Sequence, residues 1–129
     1  MYRIIIIIML HAFADFFVQG RKLRKLKIFK IPYLFEHVGI YTCIFMVLSP
    51  LFLGLKPLQG LIFSLINGVL HLAIDFVTDK LKDNYQYKNE YKYLLIIGID
   101  HGLHIIILIF TYIYFFPGAM HSYYGLSFN

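Results

Sequence analysis

Histidine and aspartate recur at helical spacing inside the apolar stretches of this 129-residue chain: His11 with Asp15, His71 with Asp75 and, in reversed order, Asp100 with His104. On a helix, side chains at i and i+4 lie one above the other on the same face, so each pair projects together into whatever packs beside it. His37 stands alone in a further apolar stretch. Imidazole and carboxylate are common ligands of zinc and other divalent ions. An aspartate inside a bilayer costs about 2.5–3.5 kcal/mol on insertion scales, so three of them require compensation. The stretches themselves carry no basic residue at that depth, so Asp–Lys or Asp–Arg pairing is not expected there. Two solutions remain, a packed network of neutral Asp bonded to His, or a bound divalent metal. Seven candidates exceed the four ligands of a structural zinc site, which points to two ions, or to one ion with acid–base groups around it. No nucleophile offers a substitute, since Ser64 lies two turns from His71 and Cys43 has no partner at i±4.

The elements that must position these residues are membrane helices. Hydrophobic residues make up 60% of the chain, and four stretches approach the roughly 20 residues needed to span a bilayer core. They run approximately over 2–19, 33–55, 58–79 and 93–116, leaving connections too short for a soluble module, so residues 1–129 form one transmembrane domain. Cys43 is the single cysteine, which excludes an internal disulfide framework. Arg3, an apolar run to Leu10 and Ala12-Phe-Ala14 also fit a signal peptide with an A-x-A cleavage site, but the apolar character continues through Phe16, Phe17 and Val18 and suits a retained span better. Pro32 opens the second span, Pro50 is expected to bend its far end, and Pro117-Gly118 stop the fourth.

Charge orients the spans. Of twelve Lys and Arg, ten fall in Arg21–Lys30 and Lys80–Lys92, leaving Arg3 and Lys56 elsewhere. The positive-inside rule then puts those two connections in the cytoplasm and both termini outside. Short connections make sequential helices antiparallel neighbours, giving an all-α, four-transmembrane-helix up-down bundle. The Arg21–Lys30 loop is also suited to anionic lipid headgroups. Nucleic acid is excluded as a partner because nothing else in the chain would form a reading surface, and His121 in the polar tail is expected to be uninvolved.

Depth ties the pairs together. Asp15 precedes Arg21 by six residues, His37 follows Lys30 by seven, Asp75 precedes Lys80 by five and Asp100 follows Lys92 by eight. At ~1.5 Å per residue, each lies roughly 7–12 Å inside the cytoplasmic edge, with His11, His71 and His104 one turn deeper. Helices of opposite direction therefore bring every unusual polar residue to one layer.

His11-Ala-Phe-Ala-Asp15-Phe-Phe-Val-Gln19, the isolated His37, His71-Leu-Ala-Ile-Asp75 and Asp100-x-x-x-His104 together resemble the signature of domain-of-unknown-function family 3307. The resemblance spans nearly the whole chain and implies a small bacterial or phage integral-membrane protein, housed in the inner or plasma membrane. The signature is also loosely similar to membrane-bound metal-dependent hydrolases with His/Asp motifs in their helices. The family pattern has Gln after the fourth-span Asp where this chain has His101. His101 is thus either an added ligand or a neighbour facing elsewhere, since one residue turns ~100° around a helix.

The leading expectation is a membrane-embedded metal-dependent hydrolase whose site opens to the cytoplasmic leaflet. One or two divalent ions, zinc first and manganese or iron as alternatives, would be held by His11, Asp15, His71, Asp75, Asp100 and His104. The metal would lower the pKa of a bound water towards ~7 and polarise the scissile group. His37 is the expected catalytic residue, as a further ligand or proton shuttle. A phosphate-bearing lipid suits the nearby basic loops as substrate, with membrane lipids as partners and oligomers allowed. Two alternatives use the same cluster differently: a proton- or ion-conducting protein in which His and Asp relay charge, and a non-catalytic holin-like or assembly protein in which the cluster is structural.

Overall fold

The apolar runs fold as helices because in lipid only internal hydrogen bonds satisfy the backbone. The computed structural model describes residues 2–17 and 20–117, apart from the side chains of Arg21 and Arg24. Gln19, Gly118 and His121 lie outside the described residues. Among those described there is no strand: helix α1 (Tyr2–Ala12) runs into a π-helical turn (Phe13–Phe17), followed by α2 (Gly20–Phe29), α3 (Ile31–Leu53), α4 (Pro57–Tyr85) and α5 (Glu90–Phe115). Three of these, α3, α4 and α5, are long and apolar enough to cross a membrane. This is the composition of a membrane protein.

Local chemistry sets the ends. Pro32 sits in the first turn of α3, where its missing N–H costs nothing. Gly54 ends that helix at φ 69°, the left-handed cap that glycine adopts without a Cβ penalty. The α4 start is closed by the Gln59 side chain accepting from the Lys56 backbone N–H at 2.9 Å. Asn89 caps α5 by accepting from the Lys92 N–H at 2.9 Å, with Glu90 in the first turn. Pro50 lies inside α3, which continues to Leu53.

Two boundaries differ from the sequence expectation. Arg21–Lys30, expected as a loop, is helical over Gly20–Phe29. Leu23, Leu26 and Lys27 recur at i, i+3 and i+4, which gives that segment an inward face despite its charge, and it packs on α3 and α4. The third apolar helix, expected to end near Asp79, continues to Tyr85. Lys82 bonds back to Asp79 at 2.8 Å, so the polar turn is internally compensated and the helix carries on.

The outer faces are apolar, and polar side chains are buried alongside apolar ones inside. Val47, Leu51, Val69, Ile106 and Phe110 are exposed, while His37, Ser64 and Asp75 are fully buried. α4 packs between α3 and α5, and α1 touches α3 and α5. The α3–α4 approach is close because α4 presents glycines there: a Cβ at Gly60 would strike Pro50, and one at Gly68 would strike the Thr42 side chain. One end of the interior is an apolar cluster of Ile7, Phe45, Leu53, Phe63, Leu108 and Tyr112. There Arg3 donates to the Tyr112 hydroxyl at 2.9 Å, which donates to the Leu53 carbonyl at 3.0 Å. The other end holds the histidines and aspartates.

Candidate metal centre

Each helix supplies this polar end from its inward face. The α1 segment and its π-helical turn bring His11 and Asp15, α3 brings His37, α4 brings His71 and Asp75, and α5 brings Asp100 and His104. All seven are at most 5% exposed.

His37 Nε2 is the point of closest convergence. It lies 3.0 Å from His71 Nε2, 3.1 Å from Asp15 Oδ1 and 3.2 Å from Asp75 Oδ2, and His71 Nε2 is itself 3.2 Å from Asp75 Oδ2. Ligand atoms held ~2.0–2.1 Å from a tetrahedral ion stand roughly 3.3 Å apart, so these separations match the edges of such a site. Two trios have ligand atoms all within 4.8 Å of one another: Asp15, His37 and His71, and His71, Asp75 and His104. His104 and His71 stack with ring centroids 4.0 Å apart, and His104 Nε2 is 3.7 Å from Asp75 Oδ1. His11 borders the second trio, its ring centroid 5.5 Å from that of His104, and its Nδ1 is 3.2 Å from the Tyr41 hydroxyl.

Asp100 stands aside from both trios. Its Oδ1 accepts from Thr78 at 2.6 Å, its Oδ2 accepts from Lys82 at 2.7 Å, and His104 Nδ1 is 3.9 Å away. His101 is 27% exposed; its Nδ1 lies 2.8 Å from the Ile97 carbonyl and its Nε2 lies 3.4 Å from Asp15 Oδ2. It faces Asp15 from the edge of the cluster.

The expectation that no basic side chain would reach the aspartates is overturned. Lys27 donates to Asp75 Oδ2 at 2.6 Å and lies 2.9 Å from His37 Nε2, and Lys82 bridges Asp79 and Asp100. Both lysines start outside the expected spans and enter on flexible stems. Lys27 was findable as the charged member of the α2 apolar face, Leu23–Leu26–Lys27. Lys82 was findable as i+3 from Asp79 and i+7 from Asp75 on α4. Asp79, 3% exposed, had no signal beyond its place at the end of an apolar run.

Burial leaves several polar atoms without a hydrogen bond among the described residues: His11 Nε2, His37 Nδ1, His71 Nδ1, Asp75 Oδ1 and both ring nitrogens of His104. An unmet buried polar atom costs roughly 1–3 kcal/mol, so this many in one place is expensive without a ligand. The donor set, imidazole nitrogen plus carboxylate oxygen, fits a divalent metal. Beside it a cavity of about 320 Å³ is lined by Asp15, Phe16, Lys25, Lys27, Lys82 and His101, among others. It joins the cluster at the α2 side.

No curated protein and no solved structure matches the chain. The family model described as "Protein of unknown function (DUF3307)" matches residues 4–126, and the chain belongs to that family.

Proposed function

We propose that this protein is a membrane-embedded, metal-dependent hydrolase acting on a phosphate-bearing lipid from the cytoplasmic leaflet. The observation that carries the reading is the convergence of buried imidazole and carboxylate atoms from four segments beside a lysine-lined cavity. In this reading the α1 segment with its π-helical turn, α3, α4 and α5 form a four-helix up-down bundle in a bacterial inner membrane. The termini and the α3–α4 turn face outward, in line with the ten basic residues on the other two connections. His11, Asp15, His71, Asp75 and His104 supply the residues that hold the metal, zinc first and manganese or iron as alternatives, while Asp100, expected among them, is taken up by Thr78 and Lys82. When bound, such an ion supplies Lewis acidity and an activated water.

The chain's own groups do the rest. Lys25 in the cavity wall attracts the anionic headgroup, and α2 offers anionic lipids a basic surface. Phe16, Ile28 and Ile97 line the same cavity and exclude water. His37, in reach of both Asp15 and Asp75, moves a proton between the cluster and the cavity wall that Asp15 helps form. The test is release of water-soluble phosphate from vesicles of mixed zwitterionic and anionic phospholipid with zinc, manganese or iron supplied. Release that stops with a chelator and in Asp75→Asn supports the reading; no release with any of the three ions rejects it.

A second reading, a proton or ion pathway through the same residues, is favoured by Lys27, whose ammonium compensates Asp75 without a metal. Metal-independent flux in reconstituted vesicles would support it over hydrolysis.

A further inference from the structure

Counted with every carboxylate ionised and every imidazole neutral, charge is out of balance in the buried cluster. Among the described residues Asp15, Asp75, Asp79 and Asp100 contribute four negative charges, and Lys27 and Lys82 return two. With neutral imidazoles, two negative charges remain uncompensated in a low-dielectric interior, which is the charge of one divalent cation. One ion balances the cluster; a second would overshoot it by two charges, or by one if a single lysine were removed.

The two trios differ in what already faces them. At the Asp15/His37/His71 trio, the Lys27 ammonium lies 2.9 Å from His37 Nε2 and 2.6 Å from Asp75 Oδ2. A cation is therefore seated against that side of the cluster. At the His71/Asp75/His104 trio the Lys27 ammonium reaches Asp75 through Oδ2, and the Oδ1 side is turned to His104. His104, 3% exposed, has neither ring nitrogen hydrogen-bonded, and Asp75 Oδ1 faces it at 3.7 Å, also without a hydrogen bond. His11 Nε2 is a further unmet atom beside them. The contact of its Nδ1 with Tyr41 is the kind of outer hydrogen bond that fixes the tautomer of a ligating histidine.

We infer that the protein binds a single divalent cation on the His71/Asp75/His104 side, with His11 as the adjoining ligand, while the Lys27 ammonium holds the Asp15/His37 side as a built-in counter-cation. Asp75 joins the two seats, one oxygen turned to each. The inference rests on the metal-site part of the proposed function and is independent of hydrolysis.

Zinc content after saturation and gel filtration of detergent-purified protein tests it, read by elemental mass spectrometry. The wild type is expected to retain one zinc per chain. His104→Ala should lose it by tenfold or more, His37→Ala should keep it, and Lys27→Met should raise the content from one ion to two. His104→Gln, which keeps the volume and polarity of the site, should lose zinc in the same way and covers the case in which the alanine variant does not fold. Loss of zinc in His37→Ala, whether or not His104→Ala also loses it, overturns the placement. Retention in both histidine variants overturns it too, and a content that stays at one in Lys27→Met overturns the role of the lysine. A wild type that retains no zinc, manganese or iron rejects the metal reading itself, an outcome distinct from all of these.

Discussion

Replacing Lys82 with methionine should destabilise the protein by about 3–5 kcal/mol, the range for removing one partner of a buried ion pair. The Lys82 ammonium lies 2.8 Å from Asp79 Oδ1 and 2.7 Å from Asp100 Oδ2, and the three residues are 3%, 5% and 2% exposed for Asp79, Lys82 and Asp100. Methionine preserves most of the apolar stem, so packing changes little and the loss is electrostatic. Two carboxylates are left facing each other's field. Thr78 still donates to Asp100 Oδ1 at 2.6 Å, which keeps the cost within the range rather than above it. Adding Asp100→Asn should return part of the loss, because only Asp79 then lacks a cation. Reversible unfolding in mixed detergent micelles, followed by far-ultraviolet circular dichroism, gives both values. A loss below about 1 kcal/mol, the scale of a solvent-exposed pair, would refute the reasoning. So would a double variant no more stable than the single one.

Asp75→Asn should abolish metal retention while insertion and helix content stay normal, because a ligand charge is lost with little change in shape; elemental analysis beside circular dichroism checks both. Gly68→Ala should cost about 1–3 kcal/mol through the collision with Thr42, and Thr42→Ala in the same chain should recover much of it in the same unfolding assay. With the exposed Cys43 first replaced by alanine, a cysteine at Lys56 should react with an impermeant thiol reagent added outside intact cells, and one at Lys25 should react only after permeabilisation. The reverse pattern would invert the proposed orientation.

Much of this was legible from spacing. The i,i+4 pairs and their common distance from the basic connections located Asp15, His37, His71, Asp75 and His104 in one buried cluster, because helix rise and bilayer depth leave few alternatives. Less legible was what lies just outside the apolar runs. A hydropathy boundary drawn at Asp79 or Arg21 treats the charges beyond it as solvated. Lys27 and Lys82 are instead turned inward, on helices that continue past the boundary. Lys82, together with Thr78, holds Asp100 apart from the trios. Propensity could not predict that choice, since it depends on which of several carboxylates each ammonium reaches.

The central claim is that the buried histidines and aspartates hold a divalent metal, and X-ray absorption at the zinc edge of the zinc-loaded, detergent-purified protein tests it most directly. The account predicts a first shell of nitrogen and oxygen at ~2.0–2.1 Å with outer-shell scattering from at least two imidazoles, absent in Asp75→Asn. A shell of oxygens alone without imidazole scattering, or protein that retains no zinc, would contradict it.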